Sequence, residues 1–125
     1  MIQVTEIAFS CYPITDVDRA KAFYEGVLGL KPTMEHDLGE KGRWIEYDIG
    51  PGTLSLGKYD GFKPTNDGCT VGLEVQDFEA AVKAVQAAGV KITMGPFETP
   101  VCHMLMICDP DDNPLIIHKR KPAHH

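Results

Sequence analysis

The stretch from Ile14 to Leu30, ITDVDRAKAFYEGVLGL, returns in weaker form near residue 75 as VQDFEAAVKAVQAAGV. A fold for this chain must therefore accommodate the same unit twice. In each copy an acidic residue, Asp16 and then Asp77, stands where a helix N-cap belongs, and a glycine, Gly29 and then Gly89, stands where the helix closes. An offset of about 61 residues holds outside the helices as well: Thr33 answers Thr93, Phe9 falls opposite Thr70 and Ser55 opposite Ile116. The second helix is one residue shorter than the first.

The remaining segments read as strands. Thr5 to Ile14 mixes β-branched, aromatic and small residues and runs into the first helix, whose Phe23, Val27 and Leu30 mark one apolar face. Lys31 to Asp37 predicts a short second strand. Arg43 to Ile49 alternates, with Ile45, Tyr47 and Ile49 on one side and Trp44, Glu46 and Asp48 on the other; after the turn at Gly50 to Gly52, Thr53 to Lys58 returns. The first module, residues 1–60, is thus β-α-β-β-β. DGFKPTNDG (Asp60 to Gly68) reads as a linker, and the second module, residues 68–121, repeats the plan. Its strands are expected at Cys69 to Val75, Val90 to Met94, Cys102 to Cys108 and Leu115 to Lys119, with a helix over Asp77 to Ala88. The arm GPFETPV is read either as a lip over a site or as an irregular edge connection.

The expected fold class is α+β: one domain over residues 1–125 in which two tandem βαβββ modules form a cupped mixed sheet, each helix covering one sheet face and leaving the other for a ligand. At 125 residues, 43% hydrophobic and 24% charged, the chain can bury a core. A net charge of −6 argues against nucleic acid or an anionic membrane as partner. Cys11, Cys69, Cys102 and Cys108 show no metal-type spacing, and neither a signal-peptide pattern nor a membrane-length apolar run is present. The expectation is a cytoplasmic protein with free thiols. His124 and His125 have the look of a tag remnant.

The run TDVDRAKAFYEGVLGL, its copy EVQDFEAAVKAVQAAGV and the terminal DPDDNPLII together resemble the vicinal-oxygen-chelate superfamily, which holds glyoxalase I, extradiol dioxygenases, and bleomycin- and fosfomycin-resistance proteins. Asp112 stands where that family usually has glycine, so a residue with a side chain must make the turn. In metal-using members one ligand comes from the first and one from the last strand of each module. Carried over, these positions are Phe9, Ser55, Thr70 and Ile116, which offer no competent donor set for a divalent ion. The resemblance also implies a homodimer, as do the exposed sheet edges.

Strand parity places Phe9, Cys11, Ser55, Thr70, Ile116 and His118 on the ligand-facing side, with Glu74, Trp44 and Glu46 and, less directly, His103. Trp44, the sole tryptophan, suggests a stacking platform, with core or interface packing as the alternative. Glu46, Glu74, His103 and His118 are the candidate acids and bases. The first expectation is therefore a metal-independent, cofactor-free binder of a small aromatic or cationic molecule. The alternative is a lyase, isomerase or dioxygenase whose relocated nickel, zinc, manganese or iron is held by Glu46, Glu74, His103 and His118.

Overall fold

The computed structural model describes residues 1–122, so the expectation for His124 and His125 lies outside the described residues. The chain forms two compact units, Met1–Pro64 and Thr65–His125.

In the first unit β1 (Ser10–Pro13), β2 (Met34–Asp37), β3 (Arg43–Ile49) and β4 (Gly52–Lys58) make a sheet in the order β1-β4-β3-β2, with β1 parallel to β4 and the other pairs antiparallel. The expected first strand is cut back to its last residues. Asp16 caps α1 (Val17–Lys21) by accepting the backbone N–H of Arg19 at 3.0 Å, and the helix continues as a π-helix over Ala22–Val27 before Gly29 turns out at φ 71°. The one-residue difference between the two copies explains the π segment: an added residue in a helix with fixed ends is absorbed by widening its turns. Phe23, Tyr24 and Ala20 then bury against Ile45, Tyr47, Leu54 and Leu56. The hydroxyl of Tyr47, inside this core, donates to Glu25 Oε2 at 2.9 Å. Burial, reinforced by that carboxylate, pushes the Tyr47 hydroxyl well above its ordinary range, so it stays a donor.

The second unit repeats the order as β5-β8-β7-β6, from β5 (Val71–Glu74), β6 (Ile92–Glu98), β7 (Cys102–Cys108) and β8 (Pro114–Arg120), again with the first and last strands parallel. Asp77 caps α2 (Phe78–Ala87) through Ala80 N–H at 3.0 Å, and Val85 points into the core formed by Leu105, Ile107, Leu115 and Ile117. Most of the GPFETPV arm is not a lip. Gly95 to Glu98 belongs to β6, an edge strand that takes up the glycine and proline through register shifts on either side of Met94. Only the turn at Thr99 to Val101 remains, closed by Thr99 N–H on the Cys102 carbonyl at 2.8 Å.

Candidate functional site

The helix of the first unit covers the sheet face carrying Ile45, Tyr47, Leu54 and Leu56, so the alternate residues stand on the helix-free face. Register fixes which of them are neighbours. Cys11 lies beside Ser55, Ser55 beside Glu46 and Glu46 beside Met34; in the next row Gly57 lies beside Trp44 and Trp44 beside His36. Phe9, 43% exposed just before β1, sets its ring 5.5 Å from that of Trp44. The indole N–H donates to Glu46 Oε2 at 2.8 Å, which fixes the plane of the ring.

Two aromatics not anticipated from the sequence complete this face. Tyr59 stacks on Trp44 at 6.2 Å with 11° between the planes, and Phe62 stacks on Tyr59 at 5.4 Å. They lie where they do because residue 57 is glycine: a Cβ there would stand 3.1 Å from both Phe62 Cε2 and the Tyr59 hydroxyl. A glycine in a strand opposite a tryptophan is the sequence signal of such a close approach.

Beneath the rings Ser55 is fully buried, and its Oγ has no hydrogen-bond partner. Burial, and then the charge of Glu46, pushes the Cys11 thiol up to about 12. A thiol held protonated is a poor nucleophile, which favours a lining role for Cys11. The face therefore offers a stacked apolar surface, one buried hydroxyl and one carboxylate.

In the second unit Glu74 lies beside His118, and Gly72 beside Ile116, on the face away from Leu115 and Ile117. Glu74 Oε1 meets His118 Nδ1 at 2.6 Å while Oε2 accepts the backbone N–H of Arg120 at 2.8 Å. Burial pushes the Glu74 carboxyl up, but the Arg120 amide and His118 together outweigh it and hold the group below its ordinary range. The carboxylate is an acceptor at neutral pH and so orients the imidazole. Thr70, just ahead of β5, is exposed.

His103 is not on this face. It pairs in register with Lys119, one step away from the Met104–His118 pair, and its ring lies 5.4 Å from Phe78 of α2. The repeat misleads here because the two hairpins differ by one residue. Trp44 pairs with Gly57, and a uniform offset would pair Leu105 with His118, but Met104 takes that place. A one-residue difference moves a strand's side chains to the other face. Met104 and Met106 are thus the β7 residues beside His118 and Ile116.

The four positions at which the resemblance puts metal ligands do not fit a divalent ion. Phe9 and Ile116 carry no donor atom, and Ser55 and Thr70 carry only neutral hydroxyls. Among the described residues no group of three or more histidine, cysteine, aspartate or glutamate side chains is placed to hold one.

Known structures share this architecture. The antibiotic-binding protein TnmS3 from Streptomyces sp. CB03234 is 23% identical, superimposes with a TM-score of 0.79, and the match covers 97% of this chain and 100% of that one. The fosfomycin resistance protein FosX from Listeria monocytogenes is 10% identical with a TM-score of 0.80 and 98% coverage of both chains. The Leishmania major glyoxalase I gives 21% identity and a TM-score of 0.77, over 93% of this chain and 87% of that one. At these identities the likeness is one of fold. No curated protein matches the chain in sequence. A family model does match it, over residues 5–117, and with the duplicated βαβββ architecture this places the chain in the Glyoxalase/Bleomycin resistance protein/Dioxygenase superfamily.

Proposed function

We propose that the protein binds a small planar ligand on the helix-free face of its first module, without a metal and without turning it over. The observation that carries this reading is the run of packed rings from Phe9 through Trp44 and Tyr59 to Phe62, an aromatic cluster bordered by Glu46 and the unpartnered hydroxyl of Ser55. Aromatic rings gain from stacking as well as from burial, and the carboxylate, in a chain of net charge −6, favours a cationic ligand. Fold neighbours include an antibiotic-binding protein and a fosfomycin resistance protein, which agrees with a binding role. The lyase, isomerase or dioxygenase reading is weakened because His103 leaves the set of groups on which it drew.

The test is calorimetric titration with a planar cationic dye such as acridine orange, with an anionic dye of similar size as the counter-probe. The cationic dye is expected to bind saturably, and Trp44→Ala and Tyr59→Ala each to weaken it by about tenfold, ~1.4 kcal/mol. Unchanged affinity in both variants would overturn the platform. Elemental analysis of protein lacking His124 and His125, after incubation with nickel, zinc, manganese or ferrous iron, is expected to give no stoichiometric metal; one ion per chain would overturn metal independence.

The proposal extends to the setting of the protein. All four cysteines are free thiols, which suits a reducing cytoplasm, and no helix among the described residues is long and apolar enough to cross a membrane. Edge strands β2 and β6 favour assembly as a homodimer, and light scattering at micromolar concentration is expected to return twice the chain mass.

A further inference from the structure

The ends of β3 and β4 carry an arrangement that the Trp44 face does not use. Arg43 and Lys58 are direct cross-strand partners, and both side chains leave the sheet on the side opposite Trp44. Like charges placed opposite one another repel, so this pairing is unfavourable unless something negative lies between them.

No acidic side chain of the described residues fills that role. Among the described residues Arg43 has no side-chain hydrogen bond or ion pair, and its Nε is buried without a partner there. Its other cross-strand neighbour, Asp37, directs Oδ1 to the backbone N–H of Gly39 at 2.9 Å. Lys21, Lys91 and Lys121 all have carboxylate partners, whereas Lys41, Lys58 and Lys63 have none among the described residues.

These four cations surround a hollow of about 450 Å³ between the Gly39 to Gly42 turn and the Tyr59 to Pro64 segment, with Glu40 and Asp60 as the acidic residues on its wall. Gly39, Gly42 and Gly61, at φ 64°, 126° and 85°, set the two walls in backbone conformations that other residues rarely adopt. The balance of charge inside is positive in a protein that is negative as a whole.

From the unpartnered Arg43 opposite Lys58 in the lining of this hollow, we propose a second binding site that takes a small oxyanion, the carboxylate or phosphate of an organic molecule. A guanidinium without an acidic partner matches the two oxygens of either group, and the lysines add charge without fixing direction. Tyr59 and Phe62 also border the hollow, so an attached ring has a surface to lie against.

The whole protein is titrated with inorganic phosphate and, separately, with benzoate, following the backbone amides of Gly39, Gly42 and Gly61 by NMR. Saturable shifts are expected with at least one probe. Phosphate alone assigns a phosphate-bearing ligand, benzoate alone an aromatic carboxylate, and both an oxyanion of either kind. Arg43→Lys keeps the charge but loses the planar fork, and is expected to weaken binding by about tenfold. Lys63→Ala is expected to weaken it by about threefold, and Lys83→Ala in the second unit to leave it unchanged. Shifts that stay linear with both probes, or an Arg43→Lys variant that binds as tightly as the wild type, would overturn the site.

Discussion

Gly42→Ala is expected to lower the stability of the first unit by more than ~3 kcal/mol. Gly42 has φ 126°, and a Cβ built on it would stand 1.8 Å from the carbonyl oxygen of Lys58 and 2.9 Å from its carbon. Both atoms are backbone, so no side chain can swing aside. Relief requires the β2–β3 turn to withdraw from the end of β4, which endangers the Arg43–Lys58 pairing and the bond from Leu38 N–H to the Gly42 carbonyl at 2.8 Å. Gly50→Ala is the control: φ there is 56° and nothing lies within 4 Å of its Cβ, so only the left-handed backbone penalty of ~1 kcal/mol applies. Trp44, in the strand that begins beside Gly42, reports the denaturant transition by fluorescence. A loss no larger for Gly42→Ala than for Gly50→Ala would refute the clash.

What could be read in the sequence followed how local its physical cause is. The helix starts at Asp16 and Asp77 were legible because a cap is a hydrogen bond spanning three residues. The alternation of Arg43 to Ile49 was legible because period two needs no knowledge of the partner strand. Asp112 turns at φ 69°, as its place in DPDDN implied. The misses depend on pairing or on distant contacts. His103 went to the wrong face through a hairpin one residue different from its counterpart, and the strand expected to end at Met94 runs on to Glu98, because an edge strand with register shifts tolerates Gly95 and Pro96. Phe62 fell within the expected linker and Tyr59 just before it, and only the packing of Tyr59 on Trp44 and of both rings over Gly57 brings them onto the sheet. Arg43 was read as one end of an alternating strand, and its lack of an acidic neighbour emerges from register alone.

Asp109→Ala is expected to cost the second unit ~2–3 kcal/mol, because it leaves buried donors without their acceptor. Asp109 is buried at the turn between β7 and β8. Its Oδ1 accepts the backbone N–H groups of Asp111 at 2.8 Å and Asn113 at 2.9 Å, while Oδ2 accepts from the side-chain amide of Asn113 at 2.8 Å. Asn113 is buried too, so alanine leaves its donors facing a void where water has little access. Asp109→Asn separates hydrogen bonding from charge. Its carbonyl still serves the two backbone donors, but its amide then meets the amide of Asn113 donor to donor, for a loss of ~1–2 kcal/mol. Asp112→Gly, in the same turn, sets the lower bound. It removes a left-handed strain of ~1 kcal/mol at the loss of only the exposed bonds from Lys91 and Asn66, so its effect is the smallest of the three. Urea melts followed by amide exchange in Leu115 to His118 give the order Ala, Asn, Gly from most to least damaging. If Asp109→Ala falls within ~1 kcal/mol of the wild type, the turn is held by its backbone bonds, among them Asp109 N–H to the Asn113 carbonyl at 2.9 Å, and the DPDDN side chains are not what closes this hairpin.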